Sequence, residues 1–472
     1  MLSYNFKYEL KLLLRSRWIQ LLSVVLLFLF CFSCFNGLKK IEKRKEVIAA
    51  AQLGVQESDA MMLKLLDSLE RGMEVSASRW TIPTSPIAVG NHHPRVAAME
   101  PQPLAFIATG QGDLFTNYIK PTVSGDDHTL NFAEMTSPVQ LLFGSFDLSF
   151  VIVYLLPLLI IAFSYNVLSA EKESGTLKLL ASQPILIRNW VLQKLGLRFF
   201  WLSLIVACAL AIVCIMVSPS VSGLTRFLSL FGLVIVYILF WFALAFLVNL
   251  WVGTSAKNAV ALLGLWVLFV LLVPSVINQL GNTFYPIPSR TLMINEMRIL
   301  KADVTKRQDE ILDNFLRDHP EYATNDNGTS RGFYHRYIAS QKLVKKELSP
   351  ILDSYENQLK KQQDWIGVFK WISPAVITQE YLNQMAGTSA QDYDDFRKQV
   401  VRFSGVWREH FIPFLFNNQN FSQQDYPGLP KFQFTPKSFN SWFTVVVLLF
   451  ISIGLFGFGF LVSNRKPKYE LV

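Results

Sequence analysis

The stretch LLSVVLLFLFCFSCF, residues 21–35, contains no charge at all. It lies inside an apolar run, 18–38, that is long enough to cross the roughly 30 Å of bilayer hydrocarbon, a crossing that takes about 20 helical residues. Five more runs of this kind follow, at 148–170, 197–217, 227–251, 259–280 and 440–462. They predict a mainly α, polytopic membrane protein with about six transmembrane helices. A hydrophobic share of 51% against 17% charged residues in a 472-residue chain is too apolar and too uneven for one soluble core. Pro157 and Pro274 fall inside the second and fifth runs. Both are tolerable in lipid where neighbouring helices satisfy the carbonyls that proline frees.

Basic residues set the expected orientation, because loops rich in Lys and Arg stay on the cytoplasmic side. An even span count puts four segments together. They carry Lys7, Lys11, Arg15 and Arg17; Lys172, Lys178, Arg188, Lys194 and Arg198; Lys257; and Arg465, Lys466 and Lys468, against Glu9, Glu171, Glu173 and Glu470. The net charge of these segments equals that of the whole protein, +9. The other side is neutral overall, so the basic balance reports topology and not a nucleic-acid partner. Both termini are therefore expected in the cytoplasm. The first run is too long for a cleavable signal peptide and reads as a retained signal-anchor. All four cysteines, Cys31, Cys34, Cys208 and Cys214, lie within the apolar runs, so no disulfide framework staples the exterior.

Residues 1–17 place Phe6, Leu10, Leu13 and Leu14 on one helical face and Lys7, Lys11 and Arg15 on another. This is the pattern of an interfacial amphipathic helix, or else of a helical extension of the first span. Two extracytoplasmic domains are expected. The first, 39–147, opens by continuing the first helix and then turns Pro-rich, reading as mixed α/β or loop-rich. The second, 281–437, is mostly helical, with a hairpin of long helices around the polar turn 324–332. A loop at 171–196 and a tail at 463–472 complete the cytoplasmic side.

The loop after the second span carries the most informative motif, SAEKESGTLKLLASQPILIRNWVLQKLGLR, residues 169–198. Acidic Glu171 and Glu173 end a membrane helix, Gly175 and Thr176 allow a turn, and Leu177, Leu179 and Leu180 begin a short helix that stops at Pro184. This segment resembles the coupling segment of the membrane subunits of type 2 ABC exporters. TGQGDLFTNY (109–118), SPVQLLFGSFDLSFVIVYLLPLL (137–159), PIPSR (286–290) and SPAVITQEYLNQMAGTS (373–389) are similar to one branch of that family. Its members carry two large periplasmic insertions and are related to gliding-motility and nitrous-oxide-reductase-maturation permeases. The resemblance implies a bacterial inner-membrane permease that pairs with a second permease copy and with a separate ABC ATPase subunit, and a possible periplasmic partner. Glu171, Glu173, Gly175, Thr176, Leu177, Leu180, Gln183 and Pro184 would form the contact to the ATPase. Glu171 and Glu173 have a plainer reading as caps that solvate a helix end. The chain has no phosphate-binding G-x-x-x-x-G-K-[ST] loop, and its longest inner loop is too short to hold a nucleotide-binding domain. ATP is therefore expected on the partner, and no catalytic residues, cofactor or metal on this chain.

All six histidines, His92, His93, His128, His319, His335 and His410, lie in the outer segments. None shows HxH or HxxxH spacing, and no outer cysteine accompanies them, so structural roles are expected. Asp147 precedes the second span as a candidate N-cap. Asp113 sits in a family-like motif near the outer surface, and Arg290 and Arg298 read as interfacial anchors. Asn327-Gly328-Thr329 and Asn420-Phe421-Ser422 fit a glycosylation pattern that is irrelevant in a bacterium. Three functions compete: export, force transmission to an envelope partner without solute flux, and ligand sensing. Sensing would require a cytoplasmic signalling domain that the inner segments are too short to form.

Overall fold

In the computed structural model the described residues are 2–75, 78, 81–109, 116–125, 146–182, 186–217, 221–251, 253–286, 290–320, 333–437 and 442–465. The chain is a mainly helical, multi-pass membrane protein. Six helices are long and apolar enough to cross a membrane: Arg17–Glu70, Leu148–Glu173, Ile187–Val217, Leu224–Trp251, Ser255–Phe284 and Trp442–Leu461. They are called the first to sixth spans below. The first five contain the apolar runs read from sequence, several running on into polar residues, and the sixth covers all but the ends of its run.

The first span is the extreme case, a single 54-residue helix. No proline interrupts it, and its charged second half KKIEKRKE favours helix as strongly as its apolar first half. It stops at Gly72, whose φ of +75° is open to glycine without a Cβ penalty. There Met73 N–H reaches Ser68 O at 3.0 Å and Gly72 N–H reaches Leu69 O at 3.0 Å, closing a Schellman motif. At the other end, Ser16 leaves helical geometry at φ −74°, ψ 104°. The helix Leu2–Arg15 is thereby separate from the first span and not a straight extension of it.

The fourth and second spans form the middle of the bundle. Their apolar windows are 72% and 61% buried, against 17–28% for the other four spans. Aromatic residues dominate this core: Tyr237, Trp241, Phe242 and Phe246 of the fourth span are fully buried. The sixth span closes on the fourth at Gly459, where a Cβ would stand 2.8 Å from Phe246 Cε1.

Both intramembrane prolines sit beside a π-helical turn, Val151–Leu155 before Pro157 and Val267–Leu272 before Pro274. Proline has no N–H for the carbonyls one turn back. Val153 O accepts instead from Tyr237 Oη at 3.0 Å, and Phe269 O accepts from Ser373 Oγ at 2.5 Å. Tertiary hydroxyls thus do what the sequence reading required of neighbouring helices.

Opposite the N-terminal helix, the two insertions do not fold apart as the sequence suggests. Met62, Leu66, Ile87, Val89, Met99 and Val123 from the first share one buried core with Phe315, Leu348, Phe396, Trp407 and Phe411 from the second. Trp407 Nε1 donates to Gly90 O at 3.0 Å, and Phe421 N–H donates to Thr84 O at 2.9 Å. Apart from the outer half of the first helix, the described part of the first insertion has one short helix, Pro86–His92, and a single 3-10 turn, Ala105–Ile107. It is loop-rich, and its β structure among the described residues is one antiparallel pair, Ala97↔Ile119 and Ala98↔Tyr118. The second is helical throughout its longer elements, Arg290–Lys306, Gln308–Asp318, Phe333–Phe369, Pro374–Ala386 and Ala390–Phe416. The polar turn of the expected hairpin, 324–332, lies outside the described residues.

The helix Pro374–Ala386, called the bridging helix below, belongs to the second insertion yet packs into the core of the spans. Ser373 caps it by accepting from Val376 N–H at 3.2 Å, and Gly387 ends it at φ +66°. Ala375, Tyr381, Leu382 and Met385 are buried in the same core as the spans. Thr388 Oγ1 then donates to Ala108 O at 2.7 Å, joining its end to the first insertion.

Candidate functional site

The second span does not run straight to Glu173. Helix Leu156–Ser164 ends, residues 165–168 form turns, and a short helix Ser169–Glu173 follows. Such a break strands backbone groups in an apolar core, where each unpaired one is costly. Asn249, on the fourth span and 1% exposed, accepts from Leu168 N–H at 3.2 Å and donates to Ser164 O at 2.9 Å. Asn258, on the fifth span and fully buried, donates to Tyr165 O at 3.0 Å. Two asparagines therefore staple the break from two different helices.

Beyond the break the chain reverses at Gly175, whose φ is +75°, and enters the helix Thr176–Ala181. Each acidic residue of the turn is committed to a different span. Glu171 Oε1 accepts from Lys194 Nζ of the third span at 2.8 Å, and its other oxygen accepts from Thr176 Oγ1 across the turn. Glu173 accepts from Ser255 N–H at 2.7 Å and from Ser255 Oγ at 2.8 Å, at the N-terminus of the fifth span. A carboxylate there satisfies orphan N–H groups and complements the helix dipole. Ser169 Oγ lies 2.8 Å from Ser255 Oγ, tightening the same junction.

Lys194 is the centre of this face. Its side chain is only 10% exposed, and Nζ also meets Glu9 of the N-terminal helix at 2.9 Å and stands over the Trp190 ring at 4.1 Å. Nearby, Arg198 donates to Phe163 O of the second span. One ammonium thus ties together the N-terminal helix, the turn and the third span.

The structure brings Glu171, Glu173, Gly175 and Thr176 together as the sequence reading groups them. It corrects Leu177, which is 2% exposed and packs into the core of the spans, so it cannot seat in a partner's groove. Leu179 is the leucine turned outward, at 71% exposure, flanked by exposed Lys178. Gln183 and Pro184 lie outside the described residues, as does the side chain of Leu180. The sequence reading missed Lys194, Glu9, Asn249, Ser255 and Asn258 as partners of the turn. The detectable signal was two asparagines within or beside apolar runs, a placement that is costly without a purpose.

The remaining candidates have structural partners. Asp147, 2% exposed, caps the second span by accepting from Phe150 N–H at 3.0 Å, and it also accepts from Thr109 N–H at 2.8 Å. His93 Nδ1 lies 2.9 Å from Ser58 Oγ, His335 Nε2 lies 3.1 Å from Leu415 O, and His319 packs on Phe315. Burial holds the imidazoles of His93 and His410 below their ordinary pKa. Among the described residues no three His, Cys, Asp or Glu side chains gather as a metal site. Arg298 is exposed. Asp113, His128, Asn327 and the side chain of Arg290 lie outside the described residues.

Residues 290–435 match a family described as a domain of unknown function, DUF3526. The match spans the second insertion, including the bridging helix, and does not reach the turn at Glu171. No curated protein matches the chain.

Proposed function

We propose that this chain is the permease subunit of a type 2 ABC exporter in a bacterial inner membrane. Both termini and the turn at Glu171 face the cytoplasm, a separate ATPase subunit docks on the turn, and a second permease completes the transporter. The observation that carries this reading is the double tether of the turn, Glu171 to the third span and Glu173 to the fifth, with Leu179 left outward. A push on Thr176–Ala181 is then delivered to two spans at once and not absorbed by a slack loop. The ATP-dependent step belongs to the partner, and this chain binds no nucleotide.

The test is affinity purification of the tagged full chain from its native membrane, with the co-purifying proteins searched for an ABC ATPase subunit. Capture is expected for the native chain and lost in Leu179→Glu. That substitution sits at an exposed position, so the melting temperature stays within the roughly 0.5 kcal/mol scatter of surface changes. Failure to capture any ATPase, or labelling of a Leu179→Cys variant by a membrane-impermeant thiol reagent added outside intact cells, overturns the reading.

Force transmission without solute flux is favoured by one further feature. The 54-residue first helix joins the core of the spans, through Leu26, Phe30 and Cys34, to the core shared by the insertions, through Met62 and Leu66. Reconstituted vesicles separate the two modes: ATP-driven solute movement supports export, and an ATP-driven change in an outer partner without flux supports transmission.

A further inference from the structure

A cavity of about 700 Å3 opens where the bridging helix meets the second and fifth spans. Its size falls within the range of roughly 300–1,000 Å3 typical of small-molecule sites. One wall is apolar: Val153, Tyr154, Val270 and Pro274. The first three belong to the two π-helical turns and Pro274 follows the second, an irregularity that recurs at functional sites in membrane helices. Tyr154 lies six residues into the second span, about 9 Å at 1.5 Å per residue, so this wall is set within the apolar length of that span.

The facing wall is polar. Gln379, Glu380, Asn383 and Gln384 line it from the bridging helix, a spacing that puts them on one side of that helix. Glu380 is already engaged: its Oε1 accepts from Lys370 Nζ at 2.9 Å and from Gln384 Nε2 at 3.0 Å. Gln379 Nε2 donates to Asn383 Oδ1 at 3.0 Å and to Ser149 Oγ at 3.2 Å. Asp364 also lines the cavity, so Lys370, Glu380 and Asp364 leave it with one excess negative charge. Anionic headgroups are repelled. Amide groups, which both donate and accept, match hydroxyls that do the same.

We propose that this cavity binds an amphiphile with an uncharged, hydroxyl-rich headgroup of the glycosyl kind. The headgroup lies against the amide face of Pro374–Ala386 and the chain lies between the second and fifth spans. The site stands on this geometry alone and does not depend on whether an ATPase docks at the opposite face.

The test uses the full chain in phosphatidylcholine nanodiscs and tritiated octyl glucoside below its micellar concentration. Saturable binding of one probe per chain is expected. Asn383 and Gln384 are half-buried, so the double variant Asn383→Leu, Gln384→Leu is expected to fold and to weaken binding about tenfold, the loss of two or more hydrogen bonds. Val376→Trp puts an indole into the cavity lining and should abolish saturable binding, while Leu179→Ala on the far face should leave it unchanged. Octyl phosphate should compete poorly. Non-saturable partitioning that is the same in the native chain and in Val376→Trp overturns the site. Equal competition by octyl phosphate overturns the headgroup assignment.

Discussion

Lys194 Nζ lies 2.8 Å from Glu171 Oε1 and 2.9 Å from Glu9 Oε1, so a single cation is shared by carboxylates from two other elements. Lys194→Met leaves two largely buried carboxylates facing one another without a counter-charge. Removing one partner of such a group costs about 2 kcal/mol or more. The melting temperature in detergent should fall accordingly, and Glu171→Gln in the Lys194→Met background should recover part of the loss. Additive effects of the two changes in a double-mutant cycle would show that the pair is not coupled.

Asn249 has three backbone partners, Leu168 N–H, Ser164 O and Ala245 O. Asn249→Ala strands the first two at the break in the second span. Hydrogen bonds between membrane helices average roughly 0.6 kcal/mol and reach about 1.7, so a loss of about 1–3 kcal/mol is expected. Unfolding titrations in mixed detergent micelles measure it. Asn249→Leu should be no milder, because the missing groups are polar and added volume does not replace them.

Ser373 serves two masters, capping the bridging helix and donating to the carbonyl that Pro274 leaves open. Ser373→Ala should destabilise by about 1–2 kcal/mol, the scale of a lost cap plus a buried hydrogen bond. In a Pro274→Ala background the helix regains an N–H, and the same substitution should cost less. Equal cost in both backgrounds would sink the link between the proline and the serine.

His93 gives the outer domain a pH dependence whose sign follows from burial. Desolvation is the largest influence and lowers its pKa from 6.5; Asp59 opposes this, while His92 and Arg95 reinforce it. The folded state therefore binds fewer protons than the unfolded one over that range. The contribution of neutral His93 is complete above the ordinary value and is lost as pH falls through the depressed one. Melting followed from neutral pH down to about 5 should show stability falling on acidification. The slope should be shallower in His93→Gln, which keeps a partner for Ser58.

The positions of the six spans were legible because an apolar run near 20 residues is a local property that no tertiary contact can overrule in a bilayer. Gly175 was legible for a related reason, since a reversal after an acidic helix end calls for positive φ. The roll of the helix that follows was not. Leu177 and Leu179 are two residues apart and equally apolar, and which one is buried depends on how the turn is tethered by Lys194 and Ser255, 15 and 76 positions beyond Leu179.

From the sequence alone came the membrane class, the span count, the continuation of the first helix beyond its apolar half and the acidic turn at Glu171 and Glu173. These rest on hydrophobicity and backbone preference, which are read over a few neighbouring residues. Only the tertiary structure decided that two insertions build one outer core, that asparagines on the fourth and fifth spans staple the second, and that an amide face meets an apolar wall in a cavity. Those features join side chains that are far apart in the chain, and contact between distant residues is set by packing, to which local pattern is blind.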